Sequence, residues 1–281
     1  MRNTAFALAL TLALPLGAQN APSFKVPRPS PKSVLTQTIG FTDVTITYSR
    51  PSAKGRQIFG GLVPYGQVWR TGANEATTIS FSDDVTINGQ ALPKGTYSLH
   101  TIPGKDQWTI IFNKVANQWG SFNYEQAQDA LRVNAKPHGD EYNEVMVFSI
   151  PKVTADEATV EIKWTNVAVP FTIGTGTTQK VLAEARAAVV AAKPDDWQTP
   201  MRAGSFAVDN RVELQEASRW LDQSIKINEN LMNLFAKARA QAAMGDRAGA
   251  IATAQRAISK ATKENAEEVP EIEHSIASWK S

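Results

Sequence analysis

A chain of 281 residues that is 42% hydrophobic can fill two cores. A net charge of +2 supplies no basic field for nucleic acid and no acidic block that would stay solvated as a tail. The lack of cysteine removes disulfides, thiol catalysis, cysteine-bound zinc and a lipoprotein anchor in one step.

The opening residues, MRNTAFALALTLALPLGAQN, combine Arg2, an apolar run from Ala5 to Leu16 and the small pair Gly17–Ala18. That is the pattern of a secretory signal, and the run is shorter than the roughly 20 apolar residues a bilayer span needs. Cleavage after Ala18 is expected, so residues 1–18 are set aside as a signal peptide. No membrane span is expected after cleavage, and the address is periplasmic or secreted. Residues 19–32 read as a disordered or extended N-terminal segment.

From residue 33 to 173 the hydrophobic period is two. Val44, Ile46 and Tyr48 alternate with Thr45, Thr47 and Ser49, as in a half-buried strand. Thr78–Ser82 and Val85–Ile87 continue the pattern, followed by the tight-turn pair Asn88–Gly89. Tyr97–Ile102 and Trp108–Asn113 form a predicted hairpin across PGKD. Val145–Ile150 is apolar on both faces and predicts a central strand. Thr159–Trp164 and Val167–Ile173 close the domain, with Pro170 demoting the last to an edge. Short strands joined by Gly and Pro turns predict an antiparallel β-sandwich-like domain.

Residues 174–178, GTGTT, read as a linker. Residues 179–281 then become alanine-rich with a helical period. Ala203 and Ala207 recur as Ala236 and Ala240, while Ala217, Leu221 and Ile225 recur as Ala250, Ala254 and Ile258, each pair 33 residues apart. Small residues at such spacing let helices approach closely, and the period resembles that of tetratricopeptide helix pairs. Two visible repeats are fewer than such arrays need, so the bundle should pack on a flanking helix or on the β domain. The fold class expected is α+β multi-domain: a β-sandwich-like domain followed by an α-helical tetratricopeptide-like bundle.

Three stretches, YSRPSAKGRQIFGGLVPYGQVWRTGANEATTISF, LPKGTYSLHTIPGKDQWTIIFNK and NQWGSFNYEQAQDALRV, resemble domain-of-unknown-function family 2911 of exported bacterial proteins. The resemblance covers most of the β domain and implies an envelope or secreted location. Some members carry tetratricopeptide-like C-terminal helices. It brings no activity, substrate or catalytic residue to carry over.

The residues themselves must therefore supply the site. Arg50 continues the Val44, Ile46, Tyr48 register, and Lys54 and Arg56 flank Gly55, which eases a left-handed turn. Arg70 and Glu75 flank TGAN, where Gly72 and Asn74 suit left-handed positions. Side by side, the two loops would gather Arg50, Arg56 and Arg70 around one anionic group, with Trp69 as a stacking wall for a sugar or ring. Arg50, Lys54, Arg56, Trp69, Arg70, Asn74 and Glu75 are the candidate ligand-binding residues. The plainer alternative is a clasp in which Arg70 or Arg50 pairs with Glu75 or Asp43 and pins loop to strand.

Glu75 is also a weak candidate general acid for a hydrolase acting on envelope glycans. Neither a nucleophile elbow, a phosphate loop nor a His-Glu-x-x-His motif occurs, so no cofactor and no metal site is expected. His100 lies opposite Tyr97 and Leu99 and reads as a satisfied sheet-face histidine. Trp119 reads as core or end-cap packing. The function expected is non-catalytic binding or scaffolding in the envelope. A small anionic or sugar ligand would sit at the β-domain loops, and a protein partner would dock on the helices.

Overall fold

The computed structural model describes residue 24 and residues 26–281. The expected signal peptide lies outside the described residues. The chain is α+β: antiparallel sheets come first and six helices follow.

The first sheet has six strands in the order β1-β2-β3-β6-β7-β8, formed by Lys32–Ile39, Thr42–Ser49, Thr77–Phe81, Gly95–Ile102, Trp108–Asn113 and Asp129–Ala135. The second runs β5-β4-β10-β9, with Val85–Ile87 as β4, Gln90–Leu92 as β5, His138–Val153 as β9 and Glu157–Gly174 as β10. Alternation builds the core. Ile46, Ile79, Leu99, Ile110 and Phe112 of the first sheet join Ile87, Phe148, Ile162, Trp164 and Phe171 of the second in one buried cluster. The outward positions of β2, β3 and β6 carry hydroxyls instead, including Thr47, Thr78 and Ser98.

Two expectations about the second sheet are corrected. The strand expected to be central, Val145–Ile150, belongs to β9 at the sheet edge. Its free side is occupied by a loop: Ser52 bridges Val145, Ala53 N–H donates to Glu144 O (2.7 Å) and Met146 N–H to Pro51 O (3.0 Å). That cover blunts the edge. The two closing strands are one long β10, which is interior rather than edge. Pro170 is tolerated because it falls after the last β9 pair, Ala168–His138, and before the first β4 pair, Ile173–Ile87. No ladder N–H is missed there.

Six helices follow: α1 Thr177–Ala191, α2 Gln198–Asp209, α3 Leu214–Ile227, α4 Leu231–Ala243, α5 Arg247–Ser259 and α6 Val269–Lys280. The repeated alanines face inward; Ala203, Ala207, Ala217, Ala236 and Ala240 share one core with Leu182 of α1. Consecutive helices pack as neighbours, α2 on α3 and α4 on α5, with α1 and α6 covering the two ends. Among the described residues no helix is long and apolar enough to cross a membrane.

The expected five-residue linker shrinks to Thr175 and Gly176, because β10 runs through Gly174 and α1 starts at Thr177. The start of α1 is held by Asp156 of the β9–β10 turn. Its carboxylate accepts from Thr178 N–H (2.7 Å) and Thr178 Oγ1 (2.5 Å), doing the work of a helix cap from a distance. Gly40 of the β1–β2 turn packs here with φ of 59°, and a Cβ there would lie 2.0 Å from Thr177 Oγ1. Replacing Asp156 by Ala is expected to lower stability by about 2 kcal/mol, through loss of two charge-assisted hydrogen bonds. Urea unfolding measures this, and a loss below about 0.5 kcal/mol would contradict the capping role.

Candidate functional site

Residues 50–76 join β2 to β3, and the chain folds this long connection back into the core instead of leaving it as a surface loop. Ile58, Val63 and Trp69 are buried with the sheet residues. Trp69 N–H and C=O both bond to Thr101 (2.8 Å each), which docks the connection beside β6. The Trp69 ring stacks on Trp164 (centroids 6.0 Å, 18° between planes) and meets Trp108 and Phe59 edge-on. This corrects the expected stacking wall: Trp69 is 9% exposed and faces other indoles.

The turn after it is built differently from expectation as well. Left-handed backbone falls at Thr71 (φ 53°) and Asn74 (φ 60°), not at Gly72. Gly72 is needed for space, since a Cβ there would lie 3.1 Å from both Ser49 O and Thr77 Oγ1. Thr71 is fully buried and shares a 3.0 Å hydrogen bond with Thr101 Oγ1. A β-branched residue in this region is strained, and these bonds hold it there.

The four candidate cations do not gather on one anion. Arg50 Nε donates to Met146 O (3.0 Å) and Lys54 N–H to Glu144 Oε1 (2.8 Å). Arg56 donates to Ala53 O (2.9 Å) and Ser52 O (2.7 Å). Arg50 and the Lys54 backbone tie the connection to β9, and Arg56 closes the turn within the connection itself. Arg70 shares none of these partners; its Nε is buried without an acceptor, and desolvation lowers its pKa below the ordinary guanidinium value.

The expected clasp also changes hands. Glu75 pairs with neither Arg70 nor Arg50 but with Arg28, which donates from one Nη to both carboxylate oxygens (2.7 and 2.8 Å). Asp43 instead accepts from Thr38 Oγ1 (2.6 Å). Arg28 lies in the segment before β1, read from sequence as disordered or extended. Residues 28–31 are tied to the domain: besides the Arg28 pair, Asn74 Nδ2 donates to Ser30 O (3.1 Å) and Arg50 N–H to Pro31 O (2.9 Å). The legible signal was Pro27, Pro29 and Pro31 at alternate positions around Arg28, since each proline fixes an extended backbone.

Beneath Arg28 and Glu75 is a cavity of about 440 Å³. Its floor is the outward hydroxyl face, with Thr47, Ser49 and Thr78; Lys32 adds a second cation, and Asn117 and Gln118 form another wall. Trp119, next in the chain to Gln118, is bridged to the Glu75 backbone, with the Arg28 guanidinium 6.0 Å from its ring centroid. It is 55% exposed, so the expected core or end-cap packing is corrected. The Arg28 hydrogen bonds hold the Glu75 carboxyl below its usual pKa. A glycosidase acid must keep its proton near neutrality, whereas the Arg28 pairing favours the ionised carboxylate. Among the described residues, no group of three or more His, Asp or Glu is placed to hold a metal ion.

Next to the cavity, residues 114–128 lie over β6 and β7 and bury the polar residues beneath. Gln118 Nε2 donates to Ser98 Oγ (3.1 Å), and Asn113 Nδ2 to Asp129 Oδ1 (2.8 Å). His100 is fully buried against Tyr124 and shares a 3.2 Å hydrogen bond with Ser121 Oγ, while its Nε2 has no partner. The expected sheet-face placement is correct, and the histidine is half satisfied. Desolvation lowers its pKa to about 4.

Fold and site thus define a two-sheet β module with a charged, hydroxyl-floored cleft, extended by a helical region. The chain belongs to the family described as protein of unknown function (DUF2911), which matches residues 30–173. Comparison with curated proteins gives no match.

His100 makes the fold acid-sensitive. The unfolded chain takes up the proton near the ordinary histidine pKa of about 6.5, whereas the folded protein resists until about pH 4. Stability is therefore full above about pH 6.5 and declines as pH falls toward 4, by up to roughly 3 kcal/mol. Urea midpoints between pH 7 and 4 should fall less steeply in His100→Gln than in the parent; equal slopes would contradict the assignment.

Proposed function

We propose that the protein is an exported, non-catalytic binding protein of the bacterial envelope, periplasmic or secreted, whose β domain holds a small anionic sugar. The observation that carries this is the cleft itself: a hydroxyl floor beneath two cations and one carboxylate. Hydroxyls and amides suit a polyol, the excess of Arg28 and Lys32 over Glu75 suits a carboxylate, and the exposed Trp119 ring suits a pyranose face. The Arg28 pairing favours the ionised Glu75 carboxylate, which suits recognition better than donation of a proton. On the helices, a cavity of about 700 Å³ between α1 and α2, bordered by Met201, Phe206 and the half-exposed Met232, supports docking of a protein partner. The tetratricopeptide-like reading of these helices is part of the same proposal.

Glucuronate titrated into the exported protein, whose intact mass reports the loss of residues 1–18, tests the reading. Saturable binding is expected, with amide shifts at Thr47, Thr78 and Gln118 and about tenfold weaker affinity in Arg28→Ala. Thermal stability should change by less than about 1 kcal/mol in that variant, since an exposed ion pair contributes little. No binding, together with a loss of several kcal/mol in both Arg28→Ala and Glu75→Gln, would make the pair a strut and end the ligand reading.

A further inference from the structure

A second cavity shares no lining residue with the cleft. It measures about 310 Å³ and is bordered by Phe59 and Tyr65 of the long connection, Lys105 of the β6–β7 turn, Trp108, and residues 137–139 and 166–167. We propose that it is a binding site for a small carboxylate carrying a single flat apolar ring.

The apolar part comes from four separate stretches of chain. Phe59, Trp108, Pro137 and Val167 all border the space, and Phe59 meets Trp108 edge-on at 4.9 Å. Apolar side chains contributed from several sides suit the faces of a flat ring, while Lys105, His138 and Asn166 place the polar partners on the same border, where a carboxylate would sit. The volume is near the lower end of ligand pockets and admits one ring.

The charged part is Lys105, which makes no ion pair among the described residues. Glu161, which lies 3.6 Å from His138 Nε2, is balanced by Lys163 at 2.9 Å. It therefore leaves Lys105 available to an incoming anion.

The third observation is backbone geometry. Strand β10 is bulged on both sides of Thr165, which has φ of 51°. Bulges re-aim side chains, and a threonine in this conformation is strained. Here the bulge stands between Trp164 of the aromatic cluster and Asn166 at the cavity rim. Gly139, paired directly with Val167 across the β9–β10 ladder, borders the same cavity, and a Cβ there would meet nothing within 4 Å.

That open position supplies the test. Benzoate is titrated calorimetrically into the full chain, with acetate and benzyl alcohol as controls that each carry one of the two features. Benzoate should bind saturably and each control about tenfold more weakly or less, because a charge-assisted contact and ring burial are each worth about that much. Gly139→Leu should abolish binding by filling the space, Lys105→Ala should weaken it about tenfold, and Arg28→Ala should leave it unchanged. Circular dichroism of each variant checks the fold, and the exposed Lys105 keeps the proposal testable if Gly139→Leu misfolds. Absence of saturable benzoate binding, binding indifferent to both pocket variants, or glucuronate bound there in preference would overturn the proposal. Loss of glucuronate binding in Arg28→Ala bears on the first cleft and leaves this site untouched.

Discussion

The stack of Trp69 on Trp164 is the contact on which the rest of the β domain depends. Trp164 belongs to β10 of the four-stranded sheet, Trp108 to β7 of the six-stranded sheet, and Trp69 and Phe59 to the connection between β2 and β3. One aromatic cluster thus joins both sheets to a segment that would otherwise be surface loop. Aromatic pairs of this geometry add to ordinary burial, and the four rings meet at centroid separations between 4.9 and 6.4 Å. Once Trp69 is seated, the chain on either side has little freedom. Upstream, residues 51–54 are laid along the edge of β9; downstream, Thr71 to Ala76 turn tightly into β3.

Both cavities are consequences of that seating. The cleft needs Glu75 held outward beside Trp119, which follows from the Asn74 and Ala76 backbone bonds to Gly120 and Gln118. The aromatic cavity needs Phe59 and Tyr65 near Trp108, at the other end of the same connection. The two spaces differ in chemistry because they lie on different surfaces of the sandwich. One rests on outward threonine and serine hydroxyls, the other on core aromatics reached from the rim.

Local pattern carried the fold well, and it failed where partners are distant. The period-two strands, the Asn88–Gly89 turn and the β6–β7 hairpin all lie where alternation and turn chemistry place them. The edge position of β9 was hidden because a loop, not a strand, covers its free side. Pro170 misled because its effect depends on where two ladders end, which residue type does not report. In the cleft, composition drew attention to Glu75 but not to its partner Arg28, whose pairing spans 47 residues. Trp69 looked like a ligand wall because a tryptophan beside an arginine reads the same in a loop as in a core. His100 was placed on the correct sheet face, but its burial depends on residues 114–128 folding over it.

Native-state hydrogen exchange with Trp69→Ala tests the central claim most directly. The bonds to follow are the N–H groups of Ala53, Trp69 and Ala76, which span the connection and bond to three different parts of the domain. If the Trp69 stack seats the whole connection, all three lose protection together, alongside a global loss of about 3–5 kcal/mol for removing a buried indole. If Ala53 and Ala76 stay as protected as in the parent while Trp69 alone opens, the connection is held piecewise by its hydrogen bonds, and the aromatic cluster is not what organises the two cavities.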